Sequence, residues 1–210
     1  MRKPLFPLAL LLLAGCASSG APVDMDEPRR VVGTQNNVRI DAQIFGDRLS
    51  PAIRIPFKYD ITNQRSQTIL VADLVPEVTY DEETQTVTVG VGSEVPGASF
   101  LPRLIAIPPG EKRTFSSVAR VHLVVARTVT PLSRFPRALR VKLSFLGDTA
   151  EFEQLIAIPE RGVFDPELAD ELFPIWVERN ETVYTNSLPM RWGFEPQADP
   201  TMPRPRGRRG

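Results

Sequence analysis

From Val38 onward, apolar and polar residues alternate with a period of two. Val38, Ile40, Ala42 and Ile44 are interleaved with Arg39, Asp41 and Gln43, the pattern of a strand with one buried and one wet face. Ile53, Ile55, Phe57, Tyr59 and Ile61 repeat it against Arg54, Pro56, Lys58 and Asp60, and the turn residues Thr62-Asn63-Gln64-Arg65-Ser66 then reverse the chain. Pro56 has no N–H to give to a ladder, so a free edge or a bulge is expected there. Residues 68–76 are apolar on both faces, which predicts a strand covered from both sides or a change of sheet. Val78 and Tyr80 lead through a polar turn at 81–85 to Val87, Val89 and Val91, a hairpin. Glycines and a proline punctuate a loop at 90–103, a short strand covers 104–107, and Pro108-Pro109-Gly110-Glu111-Lys112 is a turn by composition. The run 114–126 places Phe115, Ala119, Val121, Leu123 and Val125 on one face, with Arg120 and His122 on the other. Leu139, Val141, Leu143 and Phe145 alternate with Arg140, Lys142 and Ser144, and 152–158 predicts a returning strand. Seven or eight short strands separated by turn signals predict an all-β, antiparallel sandwich over residues 37–160.

The pattern changes after residue 160. Asp165-Pro166-Glu167 supplies an N-cap, a proline at the first helical position and an acid in the first turn. A short helix is expected over 166–173, ended by Pro174. Both tryptophans, Trp176 and Trp192, fall in the segment 161–195 together with Phe173, Tyr184 and Phe194. This helical and aromatic segment is expected to pack on the sandwich. Residues 196–210 are rich in proline and arginine, with no core material, and predict a disordered tail.

At the other end, Met1-Arg2-Lys3 is followed by an apolar run over residues 5–14, the layout of a secretory signal and too short for a bilayer span of about 20 residues. Leu13-Ala14-Gly15-Cys16 resembles the lipobox of bacterial lipoproteins, and the family's modified cysteine maps onto the only cysteine of the chain. The resemblance implies that residues 1–15 are a signal peptide cut before Cys16. It also implies that the Cys16 thiol carries diacylglycerol and its amine a further acyl chain such as palmitate. Ala17 lacks the aspartate that retains such proteins at the inner membrane, so the resemblance implies the outer membrane of a Gram-negative envelope, facing the periplasm. Residues 16–36 would then be the lipidated cysteine and a flexible tether. Two acyl chains or more hold a protein stably, where one binds only marginally. Ile55-Pro56-Phe57-Lys58-Tyr59-Asp60-Ile61-Thr62-Asn63 and Ile107-Pro108-Pro109-Gly110-Glu111-Lys112 resemble strand-and-turn signals of immunoglobulin and fibronectin-III-like domains of bacterial surface proteins. The chain departs from antibody domains in having neither paired cysteines nor a core-strand tryptophan.

Composition narrows the chemistry. One cysteine and one histidine, His122, exclude a disulfide framework, a multi-thiolate zinc site and a multi-histidine metal centre. No phosphate-binding glycine loop, dinucleotide fingerprint or Gly-x-Ser-x-Gly elbow occurs. The adjacent acid pairs Glu82-Glu83 and Asp170-Glu171 fall on a turn and a helix surface, where carboxylates are ordinarily solvated. The formal net charge of 0 is a composite. Without Arg2, Lys3, the four tail arginines and Asp199, 19 basic and 24 acidic groups remain. No cofactor, metal or nucleic-acid partner is expected, and the chain is expected not to be an enzyme. The candidate functional residues are Cys16 for lipidation, Trp176 and Trp192 as stacking platforms, and Arg204, Arg206, Arg208 and Arg209 as a basic contact for phosphates or an acidic partner. The reading is a lipid-anchored accessory or assembly module for a larger envelope protein complex, with an envelope glycan-binding module as the alternative.

Overall fold

The computed structural model describes residues 29–93, 100–122, 135–147, 150–156 and 158–193. Its strands are β1 (Arg29–Gln35), β2 (Val38–Ile44), β3 (Arg48–Leu49), β4 (Ala52–Asn63), β5 (Ile69–Ala72), β6 (Glu77–Asp81), β7 (Thr86–Val91) and β8 (Phe100–Pro102). Next come β9 (Leu104–Ile107), β10 (Lys112–His122), β11 (Ala138–Leu146) and β12 (Gly162–Phe164). The last three are β13 (Asn180–Tyr184), β14 (Leu188–Pro189) and β15 (Arg191–Trp192). A single 3₁₀ turn, Ala150–Phe152, runs into the helix α1 (Glu153–Ile156), and α2 spans Pro166–Arg179. The fold is therefore mostly β, as the period-two runs predict, but it has fifteen short strands among the described residues where seven or eight were expected.

One sheet has the order β1-β2-β4-β10 and is antiparallel throughout. The second has the path β6-β7-β11-β5-β9, with β13 and β14 added to β11. The expectation of a purely antiparallel sandwich fails at its centre, because β7 and β11 run parallel over six residue pairs from Thr86/Ala138 to Val91/Leu143. Nothing local signals this: both strands alternate like the antiparallel ones around them, and the chain between them is long enough to return in the same direction. β5 meets β11 at one pair, Leu146 with Leu70, and continues the sheet toward β9.

The inward positions of the alternating runs are those expected. Val38, Ile40, Ala42 and Ile44 from β2, Ile55, Phe57, Tyr59 and Ile61 from β4, and Leu139, Val141, Leu143 and Phe145 from β11 all lie in one core with Val87, Val89 and Val91. Each large side chain so buried contributes roughly 1.5–3 kcal/mol of transfer free energy. β5 is covered on both faces, as its sequence predicts: Ile69 and Val71 enter this core, while Leu70 and Ala72 enter a second one. The second core holds Leu101, Leu104, Phe152, Leu155, Ala169, Leu172 and Trp176, and joins both helices to the outer side of β5 and β9.

Four expectations are corrected. First, residues 29–35, placed in the flexible tether, form β1, and Val31 is fully buried. A two-residue turn, Asn36-Asn37, closes the β1–β2 hairpin with both φ positive (51° and 56°), the primed geometry that matches strand twist and that asparagine tolerates. Second, the strand expected over 152–158 is replaced in residues 152–156 by the end of the 3₁₀ turn and α1, which bury Phe152 and Leu155. Third, α2 does not stop at 173. Asp165 caps it by accepting from the Leu168 N–H at 3.0 Å, and Pro174 sits inside it. Burial of Ala169, Leu172 and Trp176 along one face outweighs the missing bond at Pro174. Fourth, the segment 180–192 is not merely packed on the sandwich: β13 and β14 join the second sheet through β11, and β15 forms a separate two-stranded ribbon with β3.

Pro56 lies where the β2 side of β4 opens to a free edge, as expected, while β10 still pairs on the other side. The Pro56 carbonyl accepts from Phe45 N at 3.1 Å, so the ring nitrogen faces the β2 side as well. The last β2 pair is Ile44 with Phe57. The missing donor thus falls where the partner strand has already ended.

Candidate functional site

The two ends of the sandwich differ in chemistry. At the first end, residues 45–51 and the outer parts of β4 and β10 extend beyond Arg29, which pairs with Ile44. β15 lies parallel to β3, with Arg191 opposite Arg48 and Trp192 opposite Leu49. The described chain also leaves here, since Gly193 N donates to Leu49 O at 3.0 Å. The first described residue and the last are therefore at the same end.

This end carries exposed arginines and aromatics. Arg54 and Arg120 sit directly opposite each other on β4 and β10, with His122 opposite Ala52, and together they line a groove of about 300 Å³. His122 is exposed, the position expected from its strand face. Trp192 is half-buried and stacked on Phe135, with centroids 5.4 Å apart and 25° between the planes. Pro136, Arg137, Met190 and Arg191 complete the lining of an open groove of about 690 Å³ beside them.

The opposite end is closed by a polar network. Arg65, on the turn after β4, forms two hydrogen bonds to Glu181 of β13, one of them at 2.6 Å from Nη1 to Oε1. Its Nε donates to the Asn36 carbonyl at 2.7 Å, and Asn36 Nδ2 donates to Glu181 Oε2 at 2.7 Å. The guanidinium also lies 4.9 Å from the Phe145 ring centroid. Buried Asn63 shapes the turn below it: Nδ2 donates to Gln67 O and Ile107 O, both at 2.8 Å, and Oδ1 accepts from Arg65 N at 3.0 Å. All of these groups satisfy one another, so the network ties three turns and β13 together.

The Arg65 hydrogen bonds hold the Glu181 carboxyl below its ordinary 4.5, against the opposing effect of partial burial; the Arg65 charge and Asn36 lower it further. A depressed carboxylate contributes stability that is present above the unfolded value and is lost as pH falls through the folded one. The stability difference between the native chain and Glu181→Gln is therefore expected to be constant above about pH 5 and to shrink steadily below pH 4.5. Urea midpoints of both chains from pH 7 to pH 3 measure it. A difference that does not narrow would disconnect Glu181 from the acid response.

Of the residues singled out in the sequence, Trp192 is at an accessible surface and Trp176 is not. Trp176 is 1% exposed, edge-on to Phe152 with centroids 5.6 Å apart and an 82° interplanar angle. Its indole N–H donates to Ser93 O at 3.2 Å. A stacking platform must present a ring face to solvent, so Trp176 is a core residue and the expectation for it is corrected. Cys16, Arg204, Arg206, Arg208 and Arg209 lie outside the described residues, as do the leader, residues 17–28, Phe194 and the tail. Glu82, Glu83, Asp170 and Glu171 are exposed, in keeping with solvated charge. Among the described residues there is no group of three or more metal-ligating side chains and no helix long and apolar enough to cross a membrane.

Sequence reasoning missed Phe100 and Phe164. They pair across β8 and β12, and Phe164 is 74% exposed. A large exposed aromatic on a regular ribbon is informative where an exposed leucine would not be. Its only signal in the sequence is an isolated Val163-Phe164 next to the helix cap. Compared with known protein families, characterised proteins and solved structures, the chain matches none.

Proposed function

We propose that the protein is a lipid-anchored envelope protein of the outer membrane, facing the periplasm, that works as an accessory or assembly module for a larger protein complex and performs no catalysis. One observation carries the reading: the cysteine of the lipobox-like segment precedes β1 by only the residues 17–28. The chain enters β1 at the end of the domain where it also leaves at Gly193. Twelve residues reach about 40 Å when fully extended and roughly 20 Å when relaxed. The domain is thus held close to the lipid, and its opposite end and flanks are turned toward the periplasm. Phe100, Phe164 and Phe173, all exposed, supply aromatic anchors of the kind that dominate protein interfaces. The immunoglobulin-like character of the sandwich belongs to the same proposal. It is supported by two sheets sharing one core, while the parallel β7–β11 pair is the feature that departs from a simple antiparallel arrangement.

A second reading, a glycan-binding module, is favoured by the Phe135–Trp192 pair and its groove, since stacked aromatics at an open cleft accept sugar faces. Trp176 contributes nothing to it.

The test begins with Cys16→Ala. The native chain is expected in the membrane fraction and soluble only in detergent, and the variant is expected as an uncleaved precursor or in the soluble fraction. An unchanged, detergent-dependent distribution of a processed variant would sink the anchor. Crosslinking in intact cells then separates the two readings: a discrete protein adduct supports the first, whereas retention on purified peptidoglycan that disappears in Trp192→Ala supports the second.

A further inference from the structure

We propose that the end of the sandwich carrying Arg48, Arg54, Arg120 and His122 docks directly onto an anionic phospholipid surface, so that the domain lies against the bilayer instead of hanging from its anchor. This rests on the lipid-anchor reading and goes beyond it, because it gives the folded domain its own membrane-contact face.

Three independent observations lead there. The first is charge. Arg54 and Arg120 are placed directly opposite each other on neighbouring strands, an arrangement that is unfavourable by itself because like charges repel across a ladder. Neither they nor His122 have an acidic side chain within ion-pair distance among the described residues, and both arginines are exposed beside the groove of about 300 Å³. Arg48 repeats the arrangement opposite Arg191, whose Nε reaches Asp47 at 3.6 Å. A surface of phosphates relieves this repulsion and supplies the missing counter-charge.

The second is apolar chemistry at the same end. Phe45 is 43% and Phe135 45% exposed, and Trp192 stacks on Phe135. Amphipathic aromatic rings favour the headgroup level of a bilayer. The third is chain geometry. Residues 17–28 lead from the proposed lipid to Arg29 at this end, and the residues that follow Gly193, with Arg204, Arg206, Arg208 and Arg209, start from it. The acidic hairpin tip Asp81, Glu82 and Glu83 is also at this end, beside the start of β11, where Arg137 N donates to Gln85 O. It confines the contact to the side formed by β3, β4 and β10.

The experiment uses the mature acylated chain in vesicles of phosphatidylcholine, with or without 30% phosphatidylglycerol, containing lipids brominated near the headgroup. Tryptophan quenching reports docking, with buried Trp176 as the constant background and Trp192 as the responding ring. Quenching is expected only with phosphatidylglycerol and should fall as salt is raised. Arg54→Gln with Arg120→Gln should lower the docked-to-undocked ratio roughly 25-fold, at about fivefold per arginine. Because the double variant also removes the cross-strand repulsion, its thermal midpoint should be equal to or above the native one, which a merely structural role would not produce. Equal quenching in both vesicle types, or no response to the double substitution, overturns the proposal while flotation of the chain with the vesicles still supports the anchor. Loss of flotation after an alkaline wash overturns the anchor reading and the proposal together.

Discussion

Trp176→Ala is expected to lower the unfolding free energy by about 3–5 kcal/mol, the range for removing a large aromatic from a core. The ring is one of the largest fully buried side chains and lies where α2, Phe152 and the outer side of β5 and β9 converge. Three losses combine: the transfer free energy of the indole, the cavity that the surrounding strands and helices cannot fully close, and the hydrogen bond from the indole N–H to the Ser93 carbonyl. Since domains of this size are stable by only about 5–15 kcal/mol, the variant sits near the limit of folding. Trp192→Ala should cost under about 1.5 kcal/mol, because that ring is only half-buried at an open groove. Urea unfolding of both variants, followed by far-ultraviolet circular dichroism, gives the comparison. Equal costs would mean that the helical layer does not depend on the indole, and the division into two cores would fail.

The same residue shows how far the sequence could be read. The alternating runs of β2, β4, β7 and β11 identified their own buried faces, because period two is a local property and one face of each strand meets the core. Trp176 could not be sorted in this way. Its burial depends on α2 continuing past Pro174, and that continuation is decided by tertiary contacts with Phe152 and Leu155. β1 was hidden for a different reason: Arg29, Arg30 and Thr34 dilute its apolar positions to Val31 and a half-buried Val32, and its turn is Asn-Asn and not the more recognisable Asn-Gly. Asn180-Glu181-Thr182-Val183-Tyr184 reads as polar because only Val183 faces the core, while Glu181 is neutralised by an arginine 116 residues earlier in the chain. Of the candidate residues that the structure describes, Trp192 falls at an accessible surface and Trp176 does not. The lipidation proposed at Cys16 rests on local residue order alone, whereas the opposition of Arg54 and Arg120 needs a register that only the folded sheet supplies.

Register and contact also set the sign of the last expectation: Gly33→Ala should destabilise the domain by about 3 kcal/mol, although propensity alone argues the reverse. Alanine in a strand is ordinarily about 0.5–1 kcal/mol better than glycine. At Gly33, however, an added methyl would lie 2.2 Å from the Tyr184 carbonyl oxygen, 2.7 Å from its carbon and 3.0 Å from Thr185 Cα. These are backbone atoms and no side chain can rotate away, so β1 and β13 must part. The seam between them is where the two sheets are joined: Asn186 N donates to Val32 O at 3.0 Å, and Val32 N donates to Asn186 Oδ1 at 2.7 Å. Thr185 ties the same segment to β11 through Val141, its N–H donating at 3.0 Å and its Oγ1 accepting at 3.0 Å. Overpacking typically costs about 1–3 kcal/mol and more where the backbone itself must move, which exceeds the propensity gain. Gly90→Ala is the control. Its nearest contact would be Glu77 O at 3.7 Å, an ordinary distance, so it should be neutral or stabilising by up to about 1 kcal/mol. Thermal and urea unfolding of the two variants test the opposite signs, and hydrogen exchange in β1 locates the loss. If both variants shifted alike, the close approach of Gly33 to Tyr184 would not be what joins the sheets. If Gly33→Ala loosens β1 as expected, the strand that leads from the proposed anchor becomes the first part of the domain to open.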